Sequence, residues 1–183
     1  MKIIKTKFKR LLLIKSNSYI DNRGYFKELY LRKFLKKKIF KGNDFPFWCL
    51  SKSKKNVLRG LHFQKNNQQD KFVCVIKGKI LDIAVDLRKN SKTFGKYFSI
   101  KLSDKNSISI LIPKGFAHGF LGLDKENIIF YGMGNYRSKK DEMGILWNDE
   151  DLSIRWPNKK FIISKKDRNN ISFKQFKKLK RNF

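Results

Sequence analysis

The sequence predicts an all-β protein, built as a sandwich or barrel of short strands. Short apolar runs recur along the chain, and turn residues separate them at intervals of roughly 8–12 residues, which is typical of this class. Seventeen of the 183 residues are phenylalanine, and aromatic side chains favour strands. Because no linker or internal repeat divides the chain, residues 1–183 are expected to form one domain with a basic C-terminal tail at 171–183.

The N-terminal part begins with a turn signal. Residues 21–24 read Asp-Asn-Arg-Gly, and the aromatic run 25–30 follows them. Residues 31–41 mix Leu, Phe and Lys, so they could form a short helix. The aromatic run Phe45–Leu50 then predicts a strand.

The centre of the chain predicts three further strands. Residues 57–64 form an apolar run between two polar stretches, 51–56 and 65–70, which predict loops. Residues 72–86 predict a hairpin whose tight turn is at Gly78.

The C-terminal half predicts further short strands and one helix. Phe173, Phe176 and Leu179 recur at helical spacing, so the tail predicts a short surface helix. The remaining predicted strands are 97–102, 107–112, 116–123 and 127–133, with a short extended piece at 152–156 that ends at Pro157.

The charge of the chain is extreme, since 44 Lys and Arg residues outnumber 15 Asp and Glu residues, for a formal net charge of +29. Such a charge can indicate nucleic-acid or acidic-membrane binding. Here the lysines are spread from end to end, and no zinc-finger, RNP-type or helix-turn-helix pattern accompanies them. The sequence therefore predicts no specific nucleic-acid partner, and a basic surface would also suit an anionic small substrate.

Membrane and disulfide signals are both weak. No stretch approaches the roughly 20 apolar residues of a membrane span. The run at 11–14 is too short for the apolar core of a signal peptide, so the protein is expected to be cytoplasmic. Cys49 and Cys74 show no metal-binding spacing and are expected to be reduced thiols.

The chain has only two histidines, and each lies in an apolar segment marked by glycine. His62 lies in Arg-Gly-Leu-His-Phe-Gln, and His118 lies in Gly-Phe-Ala-His-Gly-Phe. Histidine exchanges protons near neutral pH, so proton transfer is the first hypothesis. Two distant histidines make a poor metal site. The Gly-x-Ser-x-Gly and phosphate-loop motifs are absent from the sequence, so no cofactor or metal is predicted.

General acid–base chemistry is therefore the remaining interpretation. His62 could be the base, Tyr131 or Tyr136 the acid, and Asp167 the carboxylate that orients the imidazole. Each has a structural alternative: a core histidine, a packed tyrosine or an aspartate in a solvated loop. Strand alternation also places Arg59 and His62 on opposite faces, so both can serve one pocket only if Gly60 allows a bulge.

These segments together resemble the dTDP-4-dehydrorhamnose 3,5-epimerase family over residues 3–170. Residues 21–28, Asp-Asn-Arg-Gly-Tyr-Phe-Lys-Glu, match its N-terminal Arg-Gly-aromatic-Phe-x-Glu segment, and residues 51–64 match its signature almost throughout. Further matches, in order, are Lys71, Asp82–Arg88, Pro113–Phe120, Tyr131–Tyr136, Glu142, Trp147 and Lys165–Asn169.

The resemblance implies a cupin-like β jelly roll with short peripheral helices. It also implies a homodimer that epimerises a nucleotide-linked 4-keto-6-deoxy sugar, most simply a dTDP sugar, at C3 and C5 without a metal, in deoxysugar biosynthesis. His62 would be the base, oriented by Asp167. Lys71 would stabilise the enolate, and Tyr131 would return the proton from the other face.

The resemblance also implies a set of binding residues. Arg59 and His118 would hold the diphosphate–sugar portion, and Tyr136 would stack on the nucleotide base. The residues that would also line the site are Gln64, Glu142 and Lys166. The N-terminal segment would be exchanged between subunits. Three of its residues would then contact the nucleotide bound in the partner subunit: Arg23, Phe26 and Glu28.

Two binding positions depart from the family. Where the family usually has Gln-x-Asn, this chain has Phe47 and Cys49. Because an aromatic ring and a thiol replace amide groups, the substrate could differ. The open alternatives are a single-centre epimerase on a GDP- or CDP-linked sugar and a cupin that binds a nucleotide sugar without turnover. A basic nucleic-acid binder is the third.

Overall fold

The computed structural model describes residues 1–33, 45–157 and 160–179, and this part of the chain is nearly all β. Within it, no helix has the length and apolar character that a membrane crossing requires. The early strands are β1 (Lys2–Lys5), β2 (Leu12–Lys15), β3 (Ser18–Asp21), β4 (Gly24–Lys27), β5 (Phe47–Lys54), β6 (Val57–Gln64) and β7 (Lys71–Lys77). The later elements are β8 (Lys79–Asp86), β9 (Tyr97–Ser103), β10 (Ile108–Ile112), β11 (Phe116–Gly122), β12 (Glu126–Met133), β13 (Glu142–Gly144), β14 (Ile162–Ile163), α1 (Lys165–Arg168) and α2 (Phe173–Lys177).

Two antiparallel sheets form a jelly roll, which confirms the predicted fold class. The first sheet has the strand order β1-β2-β10-β7-β12-β5, and the second has the order β13-β6-β11-β8-β9, with β14 paired to β6. Apart from the β8–β9 pair, consecutive strands from β5 to β12 alternate between the two sheets. This alternation is the connection pattern of an eight-stranded jelly roll.

The predicted hairpin at residues 72–86 is wrong in its pairing, although both of its strands are present. β7 pairs with β10 and β12, whereas β8 pairs with β9 and β11. Gly78, with φ +84°, turns the chain from one sheet to the other. The tight glycine turn therefore connects strands of two different sheets here and does not join a hydrogen-bonded strand pair.

Three other local predictions have different outcomes. The predicted loop 51–56 is wrong up to Lys54, because β5 continues with Ser51 and Ser53 inside and lysines outside. The predicted extended piece 152–156 begins with a turn, in which the side chain of Asp149 accepts a hydrogen bond from the Leu152 amide. Most of the predicted helix at 31–41 lies outside the described residues.

Apolar side chains fill the space between the sheets and cover their outer faces. The central cluster includes Val73 and Ile129 from the first sheet and Ala84 and Phe120 from the second. The predicted C-terminal helix forms as α2, and its Phe173 and Phe176 are buried against the outer face of the second sheet. Because both faces of the central strands are covered, these strands are almost continuously apolar.

A β-bulge interrupts β6 beside the predicted base. His118 pairs with His62 and Phe120 pairs with Arg59, so two residues of β6 lie opposite one residue of β11. The bulge contains Gly60 at φ +128°, and the Gly60–Leu61 peptide bond is cis. The bulge changes the alternation of β6, as the prediction for Arg59 and His62 required.

Gly60 is expected to tolerate no side chain. A Cβ there would lie 2.6 Å from the Gly119 Cα and 2.9 Å from the His118 carbonyl oxygen. Gly24 has a similar φ of +134° but open space around it, so Gly24→Ala is a matched control. We expect Gly60→Ala to lower the free energy of unfolding by about 1–3 kcal/mol more than Gly24→Ala, measured by urea denaturation. Equal losses in the two variants would contradict this account of the bulge.

Candidate active site

A cavity of about 370 Å³ opens between the two sheets and contains most of the predicted site. The predicted residues that line it are Phe47, Cys49, Arg59, His62, Gln64, Lys71, His118, Tyr131 and Glu142. They come from β5, β7 and β12 of the first sheet and from β6, β11 and β13 of the second. The fold thus brings together residues that lie more than 90 positions apart in the chain.

His62 is held by a buried carboxylate. Its Nε2 lies 2.6 Å from Asp167 Oδ1, so the ring donates to Asp167 and its free lone pair is on Nδ1. Ser164 caps α1 and accepts a hydrogen bond from the Asp167 amide, and the Gly60 amide donates to Asp167 Oδ2. Burial opposes ionisation of Asp167, but the interactions with His62, the Gly60 amide and Ser164 together outweigh it, so the pKa of this carboxyl is lowered. The alternative of an aspartate in a solvated loop is wrong.

His118 forms a second histidine–aspartate pair on the same wall. It is the direct cross-strand partner of His62, and its Nε2 lies 2.7 Å from Asp82 Oδ2. Both members of this pair are buried, and Asp82 is on the neighbouring strand β8. The carboxylate therefore fixes the orientation of the His118 ring in the cavity.

Tyr131 lies on the opposite sheet from His62. It projects from β12 into the cavity, and its hydroxyl lies 3.1 Å from Ser51 Oγ on β5. Burial raises the pKa of the Tyr131 phenol well above its usual value. The phenol is therefore protonated at neutral pH, as a proton donor must be.

Lys71 reaches from the first sheet toward the wall that carries His62. Its Nζ donates a hydrogen bond to the His62 carbonyl oxygen at 3.3 Å. Burial lowers the pKa of Lys71 to about 8, although the negative charges of Glu142 and Asp82 oppose this shift. The ammonium group is therefore a poorly solvated cation inside the cavity, where it interacts strongly with an anion.

Glu142 joins two cations at the rim. Its Oε2 accepts hydrogen bonds from Arg137 at 2.9 Å and Lys166 at 2.7 Å. Burial would raise the pKa of Glu142, but these two cations lower it to about 2. Glu142 is therefore ionised, and it connects β13 to the loop after β12 and to α1.

Arg59 and Gln64 are both held by other parts of the protein. Arg59 donates to Ser53 Oγ at 3.0 Å and to the Lys52 carbonyl, which turns its guanidinium toward β5. The Gln64 amide donates to the carbonyls of Asn67 and Tyr136. These contacts give Gln64 a role in holding the loop at the rim.

The two positions that depart from the family both line the cavity. Phe47 and Cys49 face inward from β5, opposite Met133 and Tyr131 on β12. Burial raises the pKa of the Cys49 thiol, against the influence of Arg137 and Lys71, so the thiol is neutral. This part of the wall is therefore uncharged and largely apolar.

Five predicted binding residues lie outside the cavity lining of this chain, and one of them, Lys166, contacts the lining residue Glu142. Tyr136 is 66% exposed at the rim, beside Arg137. The remaining predicted contacts, Arg23, Phe26 and Glu28, lie on or next to the exposed hairpin β3–β4, where Arg23 pairs with Asp21. Phe26 is 67% exposed and stacks only loosely on Tyr19, with ring centroids 6.3 Å apart.

Sequence reasoning missed several groups in or beside the cavity. Ser51 lies in the stretch that was predicted to be a loop, so its inward direction was hidden. Asp82 has the pattern of an ordinary strand residue, and no local signal marks it as the partner of His118. Arg137 directly follows Tyr136 but carries no motif of its own. The other lining residues not predicted are Leu50, Phe63, Gln69, Gly119, Phe120 and Met133.

The side chains of the site that the structure describes do not form a group of metal ligands. Among the described residues, no group of three or more His, Cys, Asp or Glu side chains could hold a metal ion. Both histidines are hydrogen-bonded to carboxylates, and the basic side chains that line the cavity are Lys71, Arg59 and Arg137.

Comparisons with known proteins agree on one family. The family model described as dTDP-4-dehydrorhamnose 3,5-epimerase matches residues 5–175. The protein of that name from Shigella flexneri is 40% identical to this chain over 174 residues, which cover 94% of this chain and 96% of the relative. The protein of that name from Methanothermobacter thermautotrophicus is 42% identical over 175 residues, which cover 92% of each chain. The solved structure of dTDP-6-deoxy-D-glucose-3,5-epimerase from Legionella pneumophila, in complex with dTDP-4-keto-L-rhamnose, has a TM-score of 0.92 and 36% identity, covering 94% of this chain and 93% of that one.

Burial of Lys71 is expected to cost stability at neutral pH. The pKa of Lys71 is about 8 in the folded protein, and its ordinary value, taken for the unfolded chain, is 10.5. Between pH 8 and 10.5 the unfolded chain therefore binds more protons than the folded protein, so the free energy of unfolding rises with pH in this range. We expect Lys71→Met to increase the free energy of unfolding at pH 7 by an amount on the order of 1–3 kcal/mol, and the gain to shrink toward pH 10.5. Denaturation at several pH values measures this.

The matched control is Lys77→Met, on the same strand but exposed and paired with Glu126. We expect this variant to show no gain at pH 7. A Lys71→Met variant that is less stable than the wild type at pH 7 would contradict the stated cost of burial.

Proposed function

Because the chain belongs to the dTDP-4-dehydrorhamnose 3,5-epimerase family, we propose that it epimerises a nucleotide-linked 4-keto-6-deoxy sugar at C3 and C5. The observation that carries this proposal is the position of His62 and Tyr131 on opposite walls of one cavity. Epimerisation removes a proton from one face of a carbon and adds one to the other face. A base and an acid on facing sheets match that requirement.

His62 removes the proton in this mechanism. Asp167 holds Nε2–H, so Nδ1 of the neutral ring accepts the proton from the carbon next to the C4 ketone. As that C–H bond breaks, its electron pair forms a C=C bond to C4, and the π pair of the C4 ketone moves onto O4 as negative charge. Asp167 stabilises the imidazolium that results.

Lys71 stabilises the charge on O4. A buried ammonium acts on an enolate oxygen far more strongly than a solvated one, since little water competes for either group. This interaction becomes stronger as the oxygen gains negative charge. It therefore lowers the barrier to proton removal and does not merely tighten substrate binding.

Tyr131 completes the inversion. Its phenol, kept protonated by burial, donates a proton to the carbon from the face opposite His62. A C–H bond forms, the O–H bond breaks, and the phenolate keeps the electron pair. His62 then loses its proton to solvent and Tyr131 regains one from solvent, and repetition at the second carbon beside the ketone gives the 3,5-product.

We propose dTDP as the nucleotide, because the relatives named above carry dTDP sugars in their names. Arg59 and His118 bind the diphosphate–sugar portion from the cavity wall, and the exposed ring of Tyr136 stacks on the base. Phe47 and Cys49 replace amide contacts with an apolar surface. Arg137, which lines the same cavity, supplies an additional cation for the substrate.

We also propose a homodimer in which the hairpin β3–β4 enters the site of the partner. Arg23, Phe26 and Glu28 are outside this chain's own cavity lining, and the hairpin exposes aromatic and aliphatic side chains to solvent. An exposed apolar patch of this kind is typical of an interface. Exchange between two copies would place the same residues in both sites.

Loss of the base and loss of the acid are expected to differ in a deuterium experiment. With dTDP-4-keto-6-deoxy-D-glucose in D2O, His62→Ala should lose both deuterium incorporation and epimerisation, by roughly 10²–10⁴-fold. Tyr131→Phe should still incorporate deuterium but return it to the original face. NMR of the recovered sugar distinguishes these results. Normal epimerisation by Tyr131→Phe would show that Tyr131 is not the acid.

Mixed dimers test the exchange of the hairpin. We combine a His62→Ala chain with a chain that carries Arg23→Ala and Phe26→Ala, each inactive alone. If the hairpin acts in the partner's site, each heterodimer has one site with His62 and an intact hairpin. Random mixing should then restore about a quarter of the wild-type activity. No recovery, with heterodimers shown by native mass spectrometry, would mean that the hairpin acts within its own chain.

A further inference from the structure

The hydroxyl of Ser51 contacts the group that is proposed to deliver the proton. Ser51 Oγ lies 3.1 Å from Tyr131 Oη, and both side chains line the cavity. In the register of β5 and β12, Tyr131 is opposite Cys49, so the phenol leans along the strand to reach Ser51 two positions away. Within the described part of the chain, Ser51 Oγ is the hydrogen-bond partner of this phenol oxygen.

The direction of this hydrogen bond matters for proton transfer. A phenol has one proton. If Tyr131 donates it to Ser51, the proton is not available to the substrate. If Ser51 donates instead, the proton of Tyr131 remains free to point into the cavity.

The same bond matters more after the proton has left. A phenolate oxygen is only an acceptor, so a hydroxyl beside it must donate. Burial disfavours the phenolate, and the negative charge of Asp82 disfavours it further, whereas the hydrogen bond with Ser51 and the positive charge of Arg59 favour it. Ser51 is therefore the hydrogen-bond partner that can stabilise the charge left on Tyr131.

We propose that Ser51 is a positioning residue for the acid: it donates a hydrogen bond to Tyr131 Oη, directs the phenol proton into the cavity, and stabilises the phenolate after transfer. This inference rests on the proposed epimerase function. Ser51 acts in the protonation step alone, because His62, held by Asp167, removes the proton from the other wall.

The test separates proton removal from inversion. Ser51→Ala is incubated with dTDP-4-keto-6-deoxy-D-glucose in D2O, and the ratio of inverted product to deuterium returned to the original face is measured by NMR. We expect deuterium incorporation within about 2-fold of the wild type, and a ratio that falls about 10- to 100-fold. Ser51→Thr, which keeps the hydroxyl on a strand-compatible side chain, should restore most of the ratio.

Two controls exclude a merely structural effect. Ser53→Ala alters the next inward serine of β5, which binds Arg59, so it should raise KM without changing the ratio. In a Tyr131→Phe background, Ser51→Ala should have no additional effect. Thermal unfolding of each variant shows that the fold is retained.

Several results would overturn the inference. These are an unchanged ratio in Ser51→Ala, an equal loss of deuterium incorporation and inversion, no rescue by Ser51→Thr, or the same loss in the Tyr131→Phe background. Absence of deuterium incorporation by the wild type would overturn the proposed function itself and the inference with it. That result is seen before any variant is measured, so the two failures are distinguishable.

Discussion

The close approach of two glycines is the constraint on which the candidate site depends. A Cβ on Gly60 would be 2.6 Å from the Gly119 Cα, so β6 and β11 can come this close only because both strands have glycine at this point. The bulge formed there lets Arg59 and His62 face one cavity. The Gly60 amide also donates to Asp167, so the same bulge helps to place the carboxylate that holds the base. Backbone geometry and imidazole orientation are thus set by one local feature.

The jelly roll provides the two facing walls of the cavity, since each sheet forms one of them. The second sheet carries His62 and His118 with carboxylates behind them, and the first sheet carries Tyr131 and Lys71. Burial acts in opposite directions on the pKa values of the two groups of the first sheet. It keeps the phenol of Tyr131 protonated and weakens the hold of Lys71 on its proton. The proposed mechanism uses both properties: a phenol that keeps its proton and a poorly solvated ammonium group.

Much of this was predictable from the sequence, and the failures have physical reasons. Apolar runs predicted the central strands, and β6 has the predicted bounds because its apolar run ends at clear polar turns. The inward serines of β5 were hidden, because a strand that lines a polar cavity has a loop-like composition. The pairing of β7 was predicted wrongly, since a glycine turn does not reveal that the next strand joins the other sheet. The pairing of His118 with Asp82 depends on two neighbouring strands and could not be seen from either segment alone.

The central claim is that one cavity removes and returns protons on opposite faces of the sugar. The most direct measurement is to incubate the wild-type protein with dTDP-4-keto-6-deoxy-D-glucose in D2O and to locate deuterium in the product by NMR and mass spectrometry. The account predicts deuterium at both C3 and C5, with both centres inverted. Binding of the sugar without deuterium at either carbon would contradict it.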